Sequence, residues 1–486
     1  MNNTIRNTEP TVLWNHFSDL NAVPRPSKKE ERIVAFMVQF GEKLGLETYV
    51  DAIQNVLIKK PATPGFENRK TVVLQSHLDM VHQKNDATDF DFDTEGIQME
   101  ITQGWIHAKG TTLGADNGIG VAAIMSILSS TDIPHPAIEA LFTVDEETGM
   151  TGAMELQPGF LSGEILLNLD TEDDDEISIG CAGGIDITAN ANYREVSVIQ
   201  DHIAFKIAVN GLNGGHSGMD IHKGLANANK LLNRILVFLD QKIKFSLVSF
   251  KGGNLRNAIP REGFTEIIIS NRDIEQLERA LEVIAELLKQ EFKVQESNLN
   301  IELLKIDCPK KAMDLEFQKK FLKSVSAVHN GVYTMNAKIP ELVETSNNLA
   351  RIVVADGKLE IACLTRSFSE SGKLDLVNSI QSVFELASYH VKISGDYSGW
   401  EPNPNTEICN ILENTYADLF KEKPNVMACH AGLECGILGT HYPNMEMISF
   451  GPTIRGAHSP DEKVNIKSTQ KFWTYFLEIL KRTPIK

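Results

Sequence analysis

Four short, unbroken apolar runs constrain this chain most: Thr71–Leu74, Ile138–Val144, Ile165–Leu169 and Met445–Phe450. They are too short for ordinary helices and do not alternate, so they read as strands buried on both faces of a parallel or mixed sheet. Acidic residues or histidines follow each run: His77 and Asp79 the first, Glu146 and Glu147 the second, Asp170 the third, His458 the last. Between the first two runs, Gly118–Ser130 carries small and apolar residues at helical spacing, which gives a βαβ rhythm and an α/β fold. Ligands in open α/β sheets gather at the carboxyl ends of the strands. The same runs therefore predict a fold and the place of a site.

At 486 residues the chain exceeds one ordinary core, and two domains are expected. A helix is expected over 28–45 with Ser27 as its N-cap, then strand signals from Leu46 to Lys60 broken at Asp51 and Asn55. After about Ala182 the texture changes. His202–Val209 alternates, with Ile203, Phe205, Ile207 and Val209 on one face, as in a half-solvated antiparallel strand. Residues 273–290 place Ile274, Leu277, Leu281, Ile284 and Leu288 on one helical stripe. A second strand-and-helix set, Leu359–Leu364 and Leu374–Leu386, reads as a second and similar half. The expectation is an α+β domain over 186–397 inserted between two parts, 1–185 and 398–486, of the α/β domain. Residues 395–405, rich in Gly, Pro and Asn, suit a return linker, and 467–481 suits a closing helix with Phe472, Phe476 and Leu480 inward.

Composition removes several function classes. Lys and Arg number 47 against 65 Asp and Glu, a net charge of −18. That balance argues against nucleic acid and anionic membrane surfaces as partners, and reads as solubility in a cytoplasm. No apolar stretch approaches the ~20 residues of a membrane span, and the first residues lack a secretory pattern. The six cysteines are scattered without a C-x-x-C pair, so they are expected as reduced thiols and leave no structural cysteine zinc site.

The strand-end residues have the chemistry of a two-metal centre. His77 and Asp79 lie two apart, so in extended chain they point the same way, and a ligating imidazole needs its second nitrogen held. The bland alternative is a lone histidine in a polar network. Asp116, in the Gly-rich turn 111–120, suits a carboxylate bridging two cations. It would repel phosphate, and the alternative is a helix N-cap by Asp116 or Asn117. The adjacent Glu146 and Glu147 repel each other unless a cation intervenes; one can ligate while its neighbour acts as general base. A solvated acidic loop is the alternative there. Two histidines and three carboxylates, one of them bridging, suffice for two Zn²⁺ or Mn²⁺ ions about 3.5–4 Å apart.

In this order these residues resemble the M20 family of metallopeptidases, and within it the bacterial aminoacyl-histidine dipeptidases. The resemblance is carried over nearly the whole chain by SHLDMVHQ (76–83), AKGTTLGADNG (108–118), DEETGMTGA (145–153), LLNLDTED (166–173), GGHSGMDIH (214–222), GGNLRNAIP (252–260) and FGPTIRGAHSPDE (450–462). It implies a zinc-peptidase-like mixed sheet flanked by helices, with the inserted domain as a lid. It implies two divalent ions, Zn²⁺ foremost with Mn²⁺ or Co²⁺ as alternatives. His77 and Asp170 would hold one and Glu147 and His458 the other, bridged by Asp116. Asp79 would orient His77, and Glu146 would be the general base. His216 would stabilise an oxyanion, with a turn histidine as the bland alternative. Asn257 would bind substrate, Arg366 would meet the substrate's carboxylate, although it also suits a surface ion pair, and Glu434 would meet its amino group. Small peptides, Xaa-His dipeptides among them, are the implied substrates and a homodimer the implied assembly. A tripeptide aminopeptidase, an N-acyl amino-acid deacylase and a non-catalytic peptide- or metal-binding protein stay open as alternatives.

Overall fold

Val72–His77 and Ile138–Thr143 have every residue buried, as strands covered on both faces should. In the computed structural model, which describes residues 2–198 and 201–486, they lie at the centre of an eight-stranded mixed sheet. Its order is Glu47–Val50, Val56–Lys60, Ile138–Thr143, Val72–His77, Ile165–Asn168, Glu446–Ser449, Glu176–Cys181, Asn425–Cys429. The four apolar runs of the sequence are its four mutually parallel neighbours, so their carboxyl ends share one edge. The segment broken at Asp51 and Asn55 is a hairpin at the sheet's margin, pairing Val50 with Val56.

The chain divides into two compact units. The first comprises Met1–Cys181, Trp400–Ala428 and Leu433–Lys486; the second comprises Ala182–Gly399 and Cys429–Gly432. The short excursion at 429–432 has no signal in the sequence.

In the first unit the helix Ala115–Ser129 is buried on almost every side, with no polar stripe, because it packs between the sheet and the helix Thr11–Asn21. Gly120 sets how closely it approaches. A Cβ there would lie 2.4 Å from Ser76 Oγ and 2.7 Å from the Leu169 carbonyl. A four-stranded sheet, Ile454–Arg455, Lys463–Asn465, Trp105–Ala108 and Met99–Thr102, closes the loop 456–462 between its first two strands. The closing helix Ile466–Arg482 buries Phe472, Phe476 and Leu480 as its pattern predicts.

One local expectation is corrected. The helix expected from residue 28 runs over Glu31–Lys43, and Ser27 does not cap it. The Ser27 hydroxyl donates instead to Asp79 Oδ2 at 2.8 Å, and its N–H to the Met80 carbonyl at 3.3 Å. These contacts hold the chain extended beside the exit of Val72–His77, and Lys28 then turns through φ 72° before the helix can begin.

The second unit is built on one nine-stranded sheet whose described pairings are all antiparallel. Its longest strand, Val343–Ala355, pairs with Lys358–Ser367, which also pairs with Gly183–Asn192. The helices Ala228–Asp240, Ile274–Glu291, Leu315–Ala327 and Glu370–Leu386 share its core. The stripe Leu277, Leu281, Ile284 and Leu288 is buried in that core.

Gly120→Ala is expected to destabilise the fold by about 1–3 kcal/mol, because the clash with the Leu169 carbonyl outweighs the helix preference of alanine. Gly439, inside the helix Glu434–His441, has its nearest neighbour at 3.8 Å. Gly439→Ala should therefore be neutral or slightly stabilising. Denaturant unfolding of the two variants checks the opposite signs.

Candidate metal centre

At the shared carboxyl edge the two oxygens of Asp116 face two different histidines. His77 Nε2 lies 3.1 Å from Oδ1 and His458 Nε2 lies 3.2 Å from Oδ2. Each histidine meets a second carboxylate, His77 at 3.7 Å from Asp170 Oδ1 and His458 at 3.0 Å from Glu147 Oε2. Two triads result, His77–Asp116–Asp170 and His458–Asp116–Glu147, with Asp116 common to both. Donor atoms bound tetrahedrally at 2.0–2.1 Å to one zinc stand about 3.3 Å apart. The spacings here bracket that value. Glu147 Oε1 is buried with no hydrogen-bond partner, an acceptor that a cation would satisfy. The donor set therefore fits two divalent ions.

The fold delivers each group separately. Asp116 and Asn117 have non-helical backbone angles at the start of their helix, and the N-cap is Gly114, so neither side chain caps it. Asn117 Nδ2 donates to the Leu169 carbonyl at 2.7 Å and to Asp170 Oδ1, which aims Asp170. His77 Nδ1 faces the Asp79 carbonyl at 3.1 Å and the Asp79 carboxylate at 3.3 Å, leaving Nε2 toward the triad. Asp79 also accepts the N–H groups of Glu146 (3.0 Å) and Glu147 (3.2 Å), so one buried carboxylate orients two strand exits. Glu146 and Glu147 are thereby turned inward; Glu147 has a side chain only 3% exposed, and the pair is not a solvated loop. His458, at φ 63°, has a side chain 57% exposed and is the one member of the triads open to solvent.

The electrostatics are those of a site built for cations. Burial, reinforced by neighbouring acids, pushes Glu146 and Asp170 well above the usual carboxylate range. Burial and then Asp116 raise Glu147. Asp116 goes the other way, held far below its ordinary value against burial by hydrogen bonds from His458 and His77. Burial works to lower His77, but Asp170, Asp116 and Asp79 carry it well above its ordinary value. His458 is pushed up to about 11 by its bonds to Asp116 and Glu147. The two histidines face the carboxylates whose mutual repulsion a bound cation would relieve.

Comparison with known proteins agrees with this geometry. The profile of peptidase family M20/M25/M40 matches residues 73–482. The chain belongs to that family. It is 42% identical over 477 residues to the cytosol non-specific dipeptidase of Escherichia coli (strain K12), covering 98% of each chain. The crystal structure of aminoacylhistidine dipeptidase from Vibrio alginolyticus superposes with a TM-score of 0.91 at 43% identity, covering 99% of this chain and 98% of that one. A tripeptidase from Staphylococcus aureus shares the fold, with a TM-score of 0.56 at 18% identity and 98% of each chain covered. M20 membership implies divalent metal use and a peptide-bond hydrolase.

Of the other residues singled out in the sequence of this M20 peptidase, Glu434 lies in the first unit with the triads. It is fully buried; Oε2 accepts from Gln75 Nε2 (2.6 Å) and Thr143 Oγ1 (2.7 Å), while Oε1 has no partner. Burial raises it to about 7. His216, Asn257 and Arg366 belong to the second unit. His216 Nδ1 accepts the N–H groups of Gly218 (3.3 Å) and Met219 (3.1 Å), which assigns its proton to Nε2. His216 ends the two-residue strand Gly215–His216, which pairs with Ala258–Ile259. The Asn257 carbonyl accepts from Ser217 N–H at 2.7 Å, beside His216. Arg366 is 5% exposed, donates to the Tyr397 hydroxyl at 2.8 Å and has an unpartnered Nε, so it is no surface ion-pair residue.

His430 opens the segment HAGLECG (430–436) that carries Glu434, and sequence reasoning assigned it no role of its own. His430 is 5% exposed, pairs with Ser346 Oγ at 2.8 Å, and is held down to about 3 by burial and by Arg366. Its carbonyl is so close to Gly218 that a Cβ there would lie 2.0 Å away. The lone signal was a histidine between short elements.

Asp79→Ala removes the acceptor for two strand exits and for Ser27. Metal affinity measured by competition with a chromophoric chelator is expected to fall about 10–100-fold. An unchanged affinity would show that Asp79 does not orient the centre.

Proposed function

We propose that this chain is a cytoplasmic, metal-dependent dipeptidase that hydrolyses small dipeptides, Xaa-His among them, as a homodimer. The observation that carries this reading is the shared Asp116, with one oxygen in each of two His–carboxylate triads. The extended likeness to the Escherichia coli and Vibrio alginolyticus dipeptidases supports the substrate class, and the former's name supports the compartment. No helix among the described residues is long and apolar enough to cross a membrane.

His77 and Asp170 would hold one divalent ion and Glu147 and His458 the other, Zn²⁺ foremost, with Asp116 between them. When bound, such ions polarise the scissile carbonyl and make an attacking water acidic near neutral pH. Glu146, half-buried beside His77, would take a proton from the attacking water and return it to the leaving amine. Asp79 keeps the His77 ring and the Glu146 main chain in register for this transfer. The Nε2–H of His216 would donate to the developing oxyanion. The Arg366 guanidinium would take the substrate's carboxylate and the unpartnered Oε1 of Glu434 its amino group, with Asn257 as a further substrate contact.

Chelation should abolish hydrolysis of a dipeptide panel and Zn²⁺ should restore it. Glu146→Ala should lose about 10²–10⁴-fold in kcat while still binding metal. Faster cleavage of tripeptides or acyl-amino acids than of dipeptides would replace the substrate class. Equal inertness of wild type and Glu146→Ala after metal loading would replace the enzyme by a binding protein. Sedimentation at the mass of one chain would refute the dimer.

A further inference from the structure

A second layer of buried charge surrounds the turn that presents Asp116. Arg25 is 1% exposed. Its Nη1 donates to the carbonyls of Leu78 and Asp79, both at 3.1 Å. Its Nη2 donates to Asn21 Oδ1 at 2.9 Å and to the Gly114 carbonyl at 2.6 Å. Asn21 Nδ2 in turn donates to the Leu113 carbonyl at 3.0 Å. Glu462, 2% exposed, accepts the next groups of the same turn. Oε2 takes the N–H of Leu113 (2.7 Å) and Gly114 (2.9 Å), and Oε1 takes those of Ala115 (2.7 Å) and Asp116 (3.2 Å). Four consecutive N–H groups thus converge on one carboxylate. The turn is fitted tightly between the two charges: Gly114 sits at φ 69°, and a Cβ there would lie 2.5 Å from Arg25 Nη2.

Each end of this layer belongs to a loop that carries a candidate ligand. Glu462 lies on the same loop as His458, closed by the pairing of Ile454–Arg455 with Lys463–Asn465. Arg25 grips the exit of the His77 strand at Leu78 and Asp79, and Asp79 holds the N–H groups of Glu146 and Glu147. A shift of the turn therefore moves Asp116 relative to both histidines at once. Bridging needs both Asp116 oxygens aimed, so it has little tolerance for such a shift.

We infer that Arg25 and Glu462 are positioning residues that fix Asp116 as the shared carboxylate, so that metal affinity depends on a glutamate that touches no metal and no substrate. The inference rests on the two-metal reading above.

Glu462→Gln tests it. Glutamine keeps the volume but turns one acceptor into a donor, leaving two of the four N–H groups unmatched. Three readouts are taken: thermal unfolding of the metal-free protein, Co²⁺ affinity by chelator competition, and the visible spectrum of the Co²⁺-loaded protein. The expected result is a folded variant with Co²⁺ affinity lowered about 10–100-fold, an altered Co²⁺ spectrum, and a fall in kcat with KM for a dipeptide little changed. Arg25→Lys, which keeps the charge but loses the planar fork, should move the same readouts in the same direction. A folded Glu462→Gln with wild-type Co²⁺ affinity and spectrum overturns the inference. If that variant does not fold, a folded Arg25→Lys with wild-type affinity and spectrum overturns it equally. Failure of both to fold also overturns it, because the pair then serves the fold rather than the centre. Absence of metal binding and hydrolysis in the wild type would refute the functional reading itself, a separate outcome.

Discussion

Like charge gathered out of water is the constraint on which the first unit depends. On top of burial, Asp116 and Glu434 both push Glu146 and Asp170 upward, and Asp116 also raises Glu147. Such an arrangement is costly unless positive charge is brought into it. Two histidines meet Asp116, one at each of its oxygens, and the Arg25 guanidinium donates to the Gly114 carbonyl of the same turn. Lysine would not replace that guanidinium, because four acceptors in different directions need a planar fork. The acids are thus held at distances that suit cations and do not suit one another.

The sheet makes this arrangement affordable in geometric terms. Four parallel strands end on one edge, so groups far apart in sequence arrive together without long loops. The two central strands pair residue for residue, Val72 with Ile138 through His77 with Thr143, and that ladder fixes which residues stand at the edge. Asp79, Asn117 and Glu462 then refine the aim by a few main-chain bonds each. Rigid backbone and short reach are what a two-ion centre requires of its supports.

Most of this was legible in the sequence because it is local. His77, Glu146, Glu147 and Asp170 each follow an apolar run within a few residues, so strand and candidate site residue could be read together. Ser27 was misread because its capping signal is also local, and tertiary bonds to Asp79 and Met80 override it. Arg25 and Glu462 were given no role, and Asn117 only that of an alternative helix N-cap. They act on carbonyls and N–H groups of segments distant in sequence, and main-chain partners leave no trace in residue type. His430 was missed for the same reason: it belongs to a short excursion into the second unit that only the folded chain defines.

The claim at the centre is that one carboxylate, Asp116, joins two ions. Electron paramagnetic resonance of the protein loaded with two equivalents of Mn²⁺ tests it most directly. Two ions about 3.5–4 Å apart and bridged by a carboxylate should give a broad, exchange-coupled spectrum. That spectrum should revert to isolated six-line signals in Asp116→Ala. Six-line signals from isolated ions in the fully loaded wild type would contradict the shared centre.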